Sequence, residues 1–442
     1  MTALGVVLGL SACAGSGSTD TTITVMYEKT STFTQLDDLM QTAKAEFEAA
    51  NPGVTVELQA ISAGDDDYKT KLALANRSAS TAPDVFYEDS LNVRADAEAG
   101  YLLPLDDRLS DWGDWDLFED AAKQAGIGTD GQTYAVSLGT DTRVIWYDTS
   151  VFEAAGIATP WQPTSWQDIL DTAATIKSAE PDVIPFNMYA GTSTTEGSVI
   201  SGFDMLLYGT ELGDDALFDS DTGKWVVGSD GFVDSLTFLD ELWNGGLATT
   251  AAQALDSNVW SNIFDTWFPD GQIGAMVEGS YVPSFWAEDG QFPWSGYSDV
   301  MQTAYFPTQT GEEPGYVSMS GGWTLAVGAQ TANPDLAFDF LTTALSKDNA
   351  LSYDVANSQI AVRSDVASES EYLDANPYVE AVSDAVAFTH FRPTTSDYSA
   401  ISTAIQNAME SVITGSATPQ EAAATYDAAV VSAVGEDGVI QK

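Results

Sequence analysis

The 442-residue chain has a single cysteine, Cys13, and a single histidine, His390. No disulfide can close within it. Neither a Cys/His zinc site nor a Cys/His nucleophilic pair can be assembled in its folded part. Basic residues are also scarce, with 15 Lys and Arg against 66 Asp and Glu and a formal net charge of −51. Nucleic-acid binding needs a basic footprint that this chain lacks. Anionic lipid surfaces and polyanionic solutes are disfavoured for the same reason. Beyond a short N-terminal segment, no apolar run approaches the ~20 residues of a membrane-spanning helix. The acids are spread along the whole chain, as on a solvated, self-repelling surface, although the same charge attracts a cationic ligand. The acidic run Asp65-Asp66-Asp67 lacks the alternating ligand spacing of a calcium loop, so no metal and no cofactor is expected.

Hydrophobic residues make up 44% of the chain, enough for a globular protein, and its length calls for more than one lobe. The N-terminus reads as an address. A short apolar run, Ala3 to Leu10, leads into Leu10-Ser11-Ala12-Cys13, which resembles the bacterial lipobox, and then into Ala14-Gly15-Ser16-Gly17-Ser18. In lipoproteins that cysteine carries the lipid, and the Gly/Ser stretch would be a flexible tether. Residues 1–21 are therefore read as signal, anchor and tether, with no Lys or Arg in Met1-Thr2 ahead of the apolar run.

From Thr22 the pattern alternates between strand and helix. Thr22–Tyr27 alternates β-branched residues, and Phe33–Ala50 places Leu36, Leu39, Met40, Ala43 and Phe47 near helical spacing. Asn51-Pro52-Gly53 turns the chain into a strand over Val54–Ala60. A helix over Tyr68–Asn76 and a strand over Asp84–Tyr87 follow. Such alternation predicts an α/β lobe with a mostly parallel sheet. Thr133–Trp146 reads as two extended segments broken at Gly139, where the chain could cross between lobes. A second alternation follows, and the chain ends in Ala-rich helix, the last one opening on Thr418-Pro419-Gln420-Glu421.

In this order the segments resemble the extracellular solute-binding proteins of bacterial sugar importers, the family that includes maltose-binding protein. The landmarks include Asn51-Pro52-Gly53, Pro83-Asp84-Val85, Ala99 to Asp106, Gly131 to Val136, Val144 to Asp148, Pro163 to Asp168, Gly274-Ala275-Met276 and Gly321-Gly322-Trp323. Where the family usually has a proline beside Tyr134-Ala135, this chain has Val136-Ser137. The resemblance implies an α/β, two-lobed periplasmic-binding-protein-like fold of type II, with the ligand cleft between lobes joined by hinge crossings near residues 140, 312 and 364. It assigns residues 22–140 and 313–364 to the N-terminal lobe, and 141–312 and 365–442 to the C-terminal lobe. It further implies a monomer outside the cytoplasm, held to the membrane only through the lipid on Cys13, that hands an oligosaccharide to the permease of an ABC transporter.

Sugars offer apolar ring faces and rows of hydroxyls, so their sites need aromatic plates and planar polar groups. Five of the 12 Trp lie between Trp260 and Trp323, which suggests a ligand platform. Trp260, Trp267, Tyr281 and Trp323 are the candidate plates, and Gly322 would let backbone approach a ligand. Glu28, Glu88 and Asp89 fall at strand ends, where open α/β sheets bind ligands, and so do Asp141, Arg143 and Glu278. An arginine inside an apolar strand, in a chain this poor in cations, needs a partner or a ligand. Asp65, Tyr68, Arg363 and Tyr398 are added because the resemblance places them near the cleft. Two other classes stay open on sequence alone: a secreted glycoside hydrolase, which needs only two suitably spaced carboxylates, and a binder of a cationic solute such as a polyamine or peptide.

Overall fold

The computed structural model describes residues 21–30 and 34–442, without the side chains of Asp65, Asp66 and Ala121. The expected lipid anchor, Cys13, lies outside the described residues, as does the side chain of Asp65. Among the described residues no helix is long and apolar enough to cross a membrane.

The chain opens as β1 (Thr21–Glu28), α1 (Gln35–Ala50), β2 (Val54–Ile61), α2 (Asp65–Asn76) and β3 (Val85–Asp89). Helix α1 buries Leu36, Leu39, Met40, Ala43 and Phe47, the stripe its spacing predicts, against the sheet and the helix Pro334–Ala344. Strand β1 pairs in parallel with both β2 and β3. β4 (Ala135–Thr140) closes the other edge. Between it and β3 lies the antiparallel strand Gly322–Val327, brought back from far along the sequence. This five-stranded sheet and its helices form the first lobe around one core.

The second lobe is built on β5 (Arg143–Asp148) and β6 (Ile184–Asn187). Its four-stranded sheet runs in the order Met301–Ala304, β5, Ile273–Gly279, β6. Helices Trp166–Ala179, Asp230–Asn244, Tyr398–Ile413 and Pro419–Val434 cover it. The last of these has the expected capping box, in which Thr418 and Glu421 bond each other's backbone N–H groups.

Two details of the lobe exchange differ from the sequence reading. Strand β4 runs through Gly139 to Thr140, because Gly139 pairs with Trp323, and the break falls at Asp141-Thr142 instead. The return expected at residue 313 comes later. Tyr316–Ser320 pairs with Phe306–Pro307 and Thr389–Phe391 and buries Val317 and Met319 in the second lobe's core. Only Gly321 separates that strand from Gly322–Val327 in the first lobe.

At this point the crossings touch one another. The Thr140 hydroxyl donates to the Gly321 carbonyl at 2.8 Å, and the Gly321 N–H donates to Asp141 at 2.8 Å. Thr140 and Ile360 exchange backbone hydrogen bonds of 3.1 and 2.9 Å. Glycine is needed at Gly322. Its φ is +155°, and a Cβ there would stand 2.9 Å from the Gly139 carbonyl oxygen.

Candidate functional site

A cavity of about 720 Å³ opens between the lobes beside this pivot, within the usual size range of small-molecule sites. The first lobe contributes Glu28, Lys69, Tyr87, Asp89 and Trp323. The second contributes Arg143, Tyr189, Glu196, Trp260, Glu278, Tyr281, Phe285 and Arg392, while Asp141, Gly321 and Gly322 come from the pivot itself.

Strand pleating decides which of two adjacent acids reaches the cleft. At the end of β3, Asp89 faces the cavity and Glu88 faces the other way, toward Tyr68, Leu72 and Asp96. Asp89 pairs with Lys69 at 3.4 Å and with Arg392 at 3.3 Å. Burial alone would raise its pKa, but these two charges hold it below the ordinary carboxylate value. Arg392 reaches from the second lobe. It also pairs with Glu196 at 3.2 Å and so ties the two walls of the cleft together. Glu196 is in turn held by the hydroxyls of Tyr398 and Ser402, each at 2.5 Å.

Register places Arg143 opposite Gly279 and Val144 opposite Glu278. The Arg143 guanidinium donates to Asp141, to the Ser201 hydroxyl at 3.2 Å and to the Met319 carbonyl at 3.3 Å, and it lies 5.9 Å over the Tyr281 ring. Glu278 is 1% exposed. Its Oε1 accepts from the Gly279 N–H at 2.7 Å and the Tyr281 hydroxyl at 2.9 Å. Burial pushes its pKa up, only partly offset by Tyr189, these donors and Arg143.

The aromatic plates fall on opposite walls. Trp323 stacks on Tyr87 with ring centroids 4.4 Å apart and planes 5° from parallel. Across from it, Trp260 packs edge-on against Phe285 at 4.9 Å, and Tyr281 lies 5.5 Å from the same ring. Both tryptophans are only partly buried and both line the cavity.

Of the residues expected in the site, Glu28, Asp89, Asp141, Arg143, Trp260, Glu278, Tyr281, Gly322 and Trp323 line the cleft. Five do not. Trp267 is 8% exposed and belongs to the second lobe's aromatic core. Its neighbour Trp286 is buried with it, so the tryptophan cluster between Trp260 and Trp323 is mostly core rather than platform. Tyr68 is fully buried, and its hydroxyl donates to the backbone carbonyls of Tyr87 and Met26 at 2.6 and 3.2 Å, bolting α2 to the sheet. Glu88 points behind the sheet. Arg363 is locked by Asp114, Asp365 and the Leu345 carbonyl. Tyr398 stands behind the cleft wall, where it holds Glu196.

The sequence reading missed Arg392, Glu196, Lys69, Tyr189 and Phe285. Arg392 carried the signal that singled out Arg143: a rare cation among apolar and aromatic residues, here in His390-Phe391-Arg392.

The molecule is thus built as two α/β lobes that exchange strands through one pivot, with a polar and aromatic cleft beside it. Residues 30–351 match the family model described as bacterial extracellular solute-binding protein, and the chain belongs to that family. A binding protein of Brucella abortus (strain 2308) is 22% identical over 276 residues, covering 62% of this chain and 61% of that protein. The chain thus spans about three fifths of the length of this curated relative. The same fold is found in the GacH receptor of Streptomyces glaucescens GLA.O, solved unliganded and with acarbose and an acarbose homolog. It is 24% identical, with a TM-score of 0.75 over 94% of this chain and 99% of that one. The cyclic alpha-maltosyl-1,6-maltose binding protein from Arthrobacter globiformis is 22% identical, with a TM-score of 0.73 over 94% and 99%.

Proposed function

We propose that this chain is the capture component of an ABC sugar importer. It binds an oligosaccharide between its lobes, closes about the pivot and delivers the sugar to a membrane permease. The observation that carries this reading is the pairing of Trp323 on one wall with Trp260 on the other, around a floor of buried hydrogen-bonding groups. Both relatives of like fold named above are described with saccharide-type ligands. A solute that touches both lobes favours the closed state, whereas one with equal affinity for open and closed states shifts nothing. On this reading residues 22–140 and about 322–375 work as one lobe and the rest of the folded chain as the other, since Val362 and Arg363 pack on the first lobe.

Losing a stacking plate removes apolar burial of about 2–3 kcal/mol, roughly thirty- to a hundred-and-fiftyfold in affinity. Trp260→Ala and Trp323→Ala should each lose that much for the best ligand of a glycan panel, measured by calorimetry. Full affinity in both variants would dismiss the cleft as the sugar site. A product assay on the parent protein with the same glycan tests the hydrolase alternative, since capture without turnover leaves the glycan intact.

Residence outside the cytoplasm follows from the family, and anchorage at Cys13 is part of the same proposal. Cys13→Ser should move the protein from the membrane fraction to the soluble fraction without changing ligand affinity, because a tether lies outside the core. Unchanged partitioning would refute the anchor.

A further inference from the structure

We propose that the captured oligosaccharide carries an amine, and that its protonated nitrogen seats against Glu278 within the ring arc of Tyr189, Tyr281 and Phe285. This rests on the reading above that the cleft takes a sugar, and it names the class of sugar.

Every cation lining the cleft is already neutralised by the protein itself. Arg143 is paired with Asp141, Arg392 with Asp89 and Glu196, and Lys69 with Asp89. Glu278 belongs to none of the ion pairs among the described residues, although it lines the cleft and is almost wholly buried. Oε1 has two donors, but Oε2 makes no well-formed hydrogen bond, and neither does the nearby Tyr189 hydroxyl. That hydroxyl lies near enough to ease the burial of the carboxyl without satisfying it. A buried carboxylate left with open lone pairs is costly. A sugar hydroxyl can fill one of them but brings no charge, whereas an ammonium fills it and neutralises the acid.

The surroundings suit a cation as well. The rings of Tyr281 and Phe285 lie 5.5 Å apart, and Trp260 closes on Phe285 at 4.9 Å. Aromatic faces attract ammonium groups, and Tyr281 already stands beside the Arg143 guanidinium at 5.9 Å. A chain of net charge −51 draws cationic solutes toward any cleft that opens on its surface.

The test is a calorimetric panel of α- and β-linked glucose oligosaccharides. Each is paired with the same skeleton carrying an amine in place of one hydroxyl, and each is measured with the parent protein and with Glu278→Gln. For at least one skeleton the amine form should bind about tenfold tighter than its hydroxyl form, and Glu278→Gln should erase that preference while still binding the hydroxyl form. Should Glu278→Gln fail to fold, the parent alone suffices. Raising the salt concentration should weaken the amine ligand and leave its hydroxyl counterpart unchanged. Hydroxyl forms that match or exceed their amine forms on every skeleton would overturn this inference and leave the sugar reading intact. So would an amine preference that survives in Glu278→Gln. Binding by no saccharide of the panel would overturn the sugar reading itself, and this inference with it.

Discussion

Replacing Arg392 by methionine should lower the stability of the protein by about 3 kcal/mol, the cost of removing one partner of a buried ion pair. Its side chain is 8% exposed, and it is paired with Asp89 of the first lobe and Glu196 of the second. Asp89 would keep Lys69 as its one cation together with the Leu91 N–H, and Glu196 only hydroxyl donors. The buried carboxyl of Asp204 adds to the stress. Its pKa is raised well above the ordinary value by burial and by Glu196, and Arg392 is what offsets this. Urea denaturation of parent and variant measures the difference, and a loss below about 1 kcal/mol would show that the pairs are solvated and weak. The sign of the pH dependence follows from Asp89. Its folded pKa is depressed, so its contribution is present above the ordinary carboxylate value and lost as pH falls below about 4. The gap between parent and variant should therefore narrow on acidification.

Arg363→Met should cost less, about 1–3 kcal/mol, because its partner carboxylates Asp114 and Asp365 stay partly in solvent, and it should leave ligand affinity unchanged. This guanidinium is 2% exposed and holds Asp114 at 2.9 Å, Asp365 at 3.0 Å and the Leu345 carbonyl at 2.7 Å, with the Phe118 ring 5.4 Å away. None of these groups lines the cleft. The contrast with Arg392 makes the pair informative: both substitutions should lower the urea midpoint, but only the one at Arg392 alters a wall of the cavity. A drop in affinity for Arg363→Met, measured where the variant is fully folded, would show that the residue acts on the site after all.

The fold was readable because its signals are local and repeated. The stripe of α1, the alternation of β1 and the cap of the last helix each follow from neighbouring residues. The cleft was readable only where strand ends announced it, as at Glu28, Asp89, Arg143 and Glu278. Glu88 and Asp89 stand next to each other, and the sequence gives no means of choosing which faces the cleft, since pleat phase depends on register with a strand more than 200 residues away. Trp267 and Trp323 look alike as isolated tryptophans. One fills a core and the other lines a wall, and only their tertiary surroundings distinguish them, the second lobe's aromatic cluster for Trp267 and the stacked Tyr87 ring for Trp323. Arg392 was overlooked although its setting obeys the rule applied to Arg143, so that omission lay in the reading and not in the residues.

The contacts among Thr140, Asp141, Gly321 and Ile360 have a mechanical meaning. Three chain segments that bond one another beside the passage between the bodies leave little room for sliding or for independent twists. What remains is close to a single angular coordinate, like a compass whose legs share one rivet. On the capture reading proposed above, a ligand anywhere along the cavity would act through that one angle, and a molecule seated near Trp260 and another seated near Trp323 would drive the same displacement. Solutes of different length could in this way present one outline to whatever docks on the closed protein.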